Sequence, residues 1–166
     1  MLCIPQGTRI FIDSNIFIYH FLGQSESCRS LLESAEDLEI RAYASTVVLA
    51  EVLHKLMITE AAEKFGIKPH EVVRFLKKRP ELISELKKYD AAVREIPDYN
   101  IEILPIEREA IFESGDLRKK HNLLTNDSLN LYAMKANKLI YIATNDSDFE
   151  RVKWITVWKP ELIDYR

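Results

Sequence analysis

Short, wholly apolar runs alternate along this chain with longer segments of helical period, and few folds accommodate that alternation. The stretch 9–13 reads RIFID and the stretch 139–144 reads LIYIAT. Runs so short and so uniformly apolar suit strands buried on both faces, the condition of a parallel sheet covered by helices. The expected class is therefore α/β, a three-layer fold with a central parallel sheet of about five strands flanked by helices. A chain of 166 residues holds one domain with one sizeable core and is short for two.

The first strand is expected from Arg9 to Asp13. A helix through IFIYHFLG then ends at Gly23, with Asp13, Ser14 and Asn15 all suited to its N-cap. A second helix starts near Ser25 and carries Cys28, Leu31, Leu32 and Ala35 at helical spacing. A strand at about Arg41 to Ala44 leads to Ser45, the N-cap of a long helix ending at Gly66. Val48, Leu49, Val52, Leu53 and Leu56 form the apolar stripe of that helix. From Pro69 to Glu95 the text predicts a helical hairpin divided at Pro80, which either projects from the body or extends the core. The domain is thus read as residues 1–166 with a helical insertion at about 67–97. A third strand is expected over Ile101 to Ile106, helices over Glu107 to His121 and Asp127 to Asn137, and a fourth strand over Leu139 to Ala143. A last strand around Ile155 to Trp158 is an edge, since Pro160 closes it.

Composition narrows the partners. No apolar stretch is long enough to cross a membrane, and MLCIPQGTRIFID lacks the pattern of a secretory signal. Cys3 and Cys28 form no metal-type pair, and such sparse usage suits a reducing cytoplasm. A net charge of −3 does not mark the whole protein as a nucleic-acid binder. Local basic groups occur at Lys77, Lys78 and Arg79, at Lys87 and Lys88, and at Arg118, Lys119 and Lys120. Each reads as a solvated helix face or as a phosphate contact, with Arg118, Lys119 and Lys120 taken as the candidate nucleic-acid patch.

Four acids carry the chemistry. Asp13 and Asp146 follow apolar strands, Asp127 opens a helical pattern, and Glu51 lies inside one. Singly, each has a bland explanation: an N-cap, turn chemistry, a favourable place near a helix N-terminus, a solvated helical Glu. Glu51 fits its bland explanation worst, because it borders the apolar stripe, where an ionised group needs a cation. Ligands bind outside the carboxyl ends of parallel strands, so the four can converge on one rim. Asp148 competes with Asp146 as the acid of its loop. Oxygen-only donors suit Mg2+ or Mn2+ rather than zinc, and such an ion activates water for attack on phosphorus.

The motifs IDSNIFIY, LAEVLH, TNDSLNLYAM and IATNDSDF resemble, in order, the four acidic motifs of PIN-domain ribonucleases. The resemblance spans roughly residues 8 to 158. It implies a PIN-like fold and metal-dependent endoribonuclease activity on RNA, with Asp13, Glu51, Asp127 and Asp146 as the acidic positions. It also implies that Asn15 and Thr144 orient the carboxylates or the attacking water. Many small PIN proteins are VapC-type toxins, inhibited by a cognate antitoxin and homodimeric, so an antitoxin and a second copy are the expected protein partners. Two other functions compete. A phosphatase of the haloacid dehalogenase type would want a second Asp where Asn15 stands, and a non-catalytic RNA-binding or assembly module would use the acids only as caps. His20, His54, His70 and His121 have no evident Ser or Cys partner.

Overall fold

A computed structural model of the chain describes residues 4–163. Five parallel strands form its centre: β1 Arg9–Ile12, β2 Arg41–Ser45, β3 Glu102–Leu104, β4 Tyr141–Ala143 and β5 Thr156–Trp158. Their order is β3-β2-β1-β4-β5, and Ile10 stands between Ala42 on one side and Tyr141 on the other. β1 takes the middle because Ile10, Phe11 and Ile12 are all fully buried. Three successive apolar side chains point to both faces of a sheet, so both faces must be covered.

The covering helices are α1 Ser14–Phe21, α2 Glu26–Glu36, α3 Thr46–Phe65, α4 Pro69–Lys78, α5 Lys88–Glu95, α6 Arg108–His121 and α7 Thr125–Ala136. Local chemistry sets several of their ends. Ser25 accepts a hydrogen bond from the Cys28 amide, and Ser45 accepts one from that of Val48. Gly66 ends α3 in the left-handed region at φ 65°, where a Cβ would be strained. The expected buried side of α2, namely Cys28, Leu31, Leu32 and Ala35, is in the core. Cys3 lies outside the described residues. None of the described helices is long and apolar enough to cross a membrane.

The chain moves outward from β1 through β2 to β3, then returns past β1 to β4. The right-handed preference of such crossovers sends the connections before and after that reversal to opposite faces. The carboxyl ends of β1 and β4 flank the reversal, the place where an open parallel sheet leaves a crevice.

Three expectations need correction. The segment after α3 is not a two-helix hairpin: α4 is followed by a 3₁₀ turn, Pro80–Glu85, and α5 begins only at Lys88. These pieces pack on the second half of α3, where Ile58, Ala61, Val72, Leu76 and Leu86 make a satellite core. Glu60 ties the segment down by accepting the Lys87 and Tyr89 amides at 2.9 and 3.0 Å. Leu53 does not belong to the α3 stripe; it is 37% exposed, because the stripe turns toward Ile58 and Ala61 to meet α4. Finally, α7 starts at Thr125, so Asp127 is its third residue rather than its first.

Candidate active site

Asp13 begins where β1 ends. Its Oδ1 accepts the Ser14 amide at 2.7 Å, as an N-cap does. Its Oδ2 accepts the Thr144 hydroxyl at 2.6 Å and the Asn15 amide nitrogen at 2.8 Å. Thr144 is within reach because β1 and β4 pair Ile12 with Ala143, which aligns the residues that follow. The Thr144 oxygen also accepts the Asp146 amide at 3.0 Å. Asn15 Oδ1 accepts the Asn145 amide at 3.0 Å, so its NH2 group is the end turned to Asp13. Asn145 in turn donates to the Tyr19 hydroxyl at 3.0 Å. Position 15 carries an amide that donates to Asp13 and not the second carboxylate of the phosphatase arrangement, which is therefore not built here.

The remaining acids come from three other elements. The carboxylate oxygens of Asp127, Asp146 and Asp148 lie within 4.8 Å of one another. Asp146 caps the 3₁₀ turn Ser147–Arg151 by accepting the Asp148 amide at 2.8 Å, so the short turn delivers both of its acids to the trio. Glu51, in the second turn of α3, stands beside the trio, and its Oε1 accepts the Asn126 amide nitrogen at 2.6 Å. That bond links α3 to the start of α7.

Burial and mutual repulsion show in the protonation of two members. Desolvation pushes the Asp13 carboxyl from 3.8 up to about 6 against the pull of its Thr144 and Ser14 hydrogen bonds, with Glu51 and Asp127 adding to the rise. Asp127 also rises from 3.8 to about 6, through burial first and then through the charges of Asp146, Glu51 and Asp148. Their hydrogen bonds alone would lower these carboxyls, and burial outweighs them here. These two are held at a cost that a cation would relieve. The donors are all hard oxygen, without His or Cys in the trio, and the residues fit a hard divalent cation.

The PIN domain family model matches residues 10–155. This chain belongs to that family. It is 34% identical over 154 residues to Ribonuclease VapC2 of Methanocaldococcus jannaschii, covering 92% of this chain and 94% of the relative. It is 28% identical over 158 residues to Ribonuclease VapC6 of the same organism, covering 92% and 97%. Among solved structures it resembles VapBC2 from Rickettsia felis, bound to a DNA fragment from their promoter, with a TM-score of 0.60 and 18% identity over 93% of this chain and 100% of that one. That last likeness is one of fold.

Within this PIN domain, Asp127 and Asp146 meet in the trio, Asn15 and Thr144 bond Asp13, and Asp13 and Glu51 stand beside the trio rather than in it. Asp148 lies with Asp146 in that trio. The basic patch divides: Lys119 and Lys120 are exposed, but Arg118 donates to Ser128 at 3.2 Å and Ser114 at 3.3 Å, stapling α6 to α7. Sequence reasoning missed Asn126, Asn145 and Tyr19. Asn126 and Asn145 each precede a rim acid by one residue, a signal too common in turns and helix starts to single them out.

Proposed function

We propose that this chain is a metal-dependent endoribonuclease that hydrolyses RNA phosphodiester bonds, acting as the toxin of a toxin–antitoxin pair. The observation that carries the reading is the gathering of Asp127, Asp146 and Asp148 within 4.8 Å beside the buried, raised Asp13. Asp13, Glu51, Asp127 and Asp146 are the acids of the centre, with Asp148 as a fifth group on its rim. They would hold Mg2+ or Mn2+, which supplies an activated water and stabilises charge on phosphorus. Thr144 and Asn15 hold Asp13 in one orientation. Asn126 does the same for Glu51, and Asp13 and Asp127 would be held ionised by a bound ion. Exposed Lys119 and Lys120 are the candidates for phosphate contact.

The relatives are named as VapC ribonucleases, which supports RNA as substrate; an antitoxin partner, a homodimer and a cytoplasmic place of action belong to the same proposal. The whole chain then acts as one PIN-type unit, with the segment at about 67–97 as an elaboration of α3. A non-catalytic module draws support from the capping bonds of Asp13 and Asp146, yet caps alone leave the raised Asp13 and Asp127 without a purpose.

The test is RNA cleavage with Mg2+ or Mn2+ by the wild type and by Asp13→Asn, Asp127→Asn, Asp146→Asn and Asp148→Asn. The first three are expected to lose cleavage by at least about a hundredfold while keeping the fold, and EDTA should abolish cleavage by the wild type. Undiminished cleavage by Asp13→Asn would sink the assignment.

A further inference from the structure

Arg151 stands between the acidic rim and the turn that joins α6 to α7. Its Nη2 pairs with Asp148 Oδ1 at 2.7 Å, and its Nη1 donates to the Asn122 carbonyl at 2.8 Å. Asn122 is the left-handed C-cap of α6, at φ 54°. The backbone of Arg151 also lies against the buried ring of His121. One guanidinium therefore joins the 3₁₀ turn carrying Asp148, capped by Asp146, to the end of α6.

An ion pair between residues three apart on an exposed turn contributes little to stability by itself. Two features set this one apart. The anion it holds faces two further carboxylates, Asp127 and Asp146, whose repulsion would otherwise drive Asp148 outward into water. The cation is also fixed at a second point by a carbonyl, so it cannot simply follow its partner. A planar guanidinium satisfies both contacts at once, which the single ammonium of a lysine cannot.

We propose that Arg151 is a positioning residue for the metal centre, holding Asp148 in the acidic trio through Oδ1. The groups that orient a metal's ligands commonly set its affinity. Arg151 does so here by bracing the turn against α6, which keeps Asp148 beside Asp127 and Asp146. This rests on the metal-dependent reading above.

The experiment is a Mn2+ titration of the full chain followed by thermal shift and by calorimetry, on wild type, Arg151→Ala, Arg151→Lys and Asp148→Asn, and on the Arg151→Ala change in the Asp148→Asn background. Arg151→Ala is expected to weaken Mn2+ binding about tenfold, and Arg151→Lys to recover only part of that loss. In the Asp148→Asn background, Arg151→Ala should weaken binding no further. If Arg151→Ala lowers the metal-free Tm but leaves the Mn2+ affinity unchanged, Arg151 is a structural brace alone and the proposal fails. Tighter binding in Arg151→Ala also overturns it, since Arg151 would then compete with the ion. Should Arg151→Ala not fold, a wild-type affinity in Arg151→Lys overturns it equally. A wild type that responds to no Mn2+ overturns the nuclease reading and this proposal together, an outcome distinct from all the others.

Discussion

Asp13 is an acid placed where an acid is costly. It is 5% exposed, and its carboxyl is raised to about 6, mainly by burial. Because the folded value lies above the ordinary 3.8, the folded chain binds the proton more tightly than the unfolded one. The metal-free protein should therefore gain stability as pH falls from about 7 toward 4, and lose it as pH rises through 6. For Asp13 the difference is on the order of 3 kcal/mol, at about 1.4 kcal/mol per pH unit. Asp127 adds a smaller amount of the same sign, since it is more open to solvent. Saturating Mn2+ should flatten this dependence by replacing the protons, and Asp13→Asn should both flatten it and remove most of the Mn2+ stabilisation. Thermal melts from pH 5 to 8, with EDTA and with Mn2+, check the sign. A metal-free Tm that climbs steadily from pH 5 to 7 would contradict it.

At the scale of elements, the rim depends on α3 and α7 keeping their spacing. Ser45 is the joint. Its hydroxyl caps α3 through the Val48 amide at 3.1 Å and donates to Asn130 Oδ1 of α7 at 2.6 Å, all in a fully buried place. Ser45→Ala should cost more than the ~1 kcal/mol of a lost cap, reaching about 2–3 kcal/mol, because it also leaves the Asn130 oxygen dry and unpaired. In an Asn130→Leu background the same change should cost only the cap. Urea unfolding of the four proteins gives the coupling directly, and additive losses would mean the two residues act independently. The Asn126–Glu51 bond is a second tie between the same helices, closer to the rim.

For the whole molecule, the proposed reading requires a chain of net charge −3 with an acidic rim to attract RNA. On the proposed reading, an ion at the rim would offset part of its negative charge, and exposed lysines outside it would supply the longer-range attraction. Lys119→Ala with Lys120→Ala should weaken RNA binding. The slope of log affinity against log salt should then become shallower by roughly 0.7 for each phosphate that the lysines no longer neutralise. Binding measured across salt concentrations on a cleavage-dead Asp146→Asn protein reads this out. An unchanged slope would make the two lysines ordinary solvated groups. Arg118 is predicted to behave differently, since its bonds to Ser114 and Ser128 make its removal a loss of stability.

Much of this was legible locally. The apolar run at β1, the caps at Asp13 and Ser45, the stop at Gly66 and the buried side of α2 all follow from periodicity and from backbone preferences. These act between residues a few positions apart. So does the reading of Asp13 and Asp146 as strand-end acids. The tertiary structure decided what meets across the chain. The β1–β4 pairing brings Thr144 onto Asp13, the α3–α7 packing brings Asn126 onto Glu51, and the α6–α7 turn meets Arg151. It also turned Arg118 inward and Leu53 outward. The residues in these meetings are separated by tens of positions, and nothing in local spacing encodes which face of one helix another will cover. Burying both faces of the central sheet settles that, and with it the order of strands and the identity of the groups that hold each acid in place.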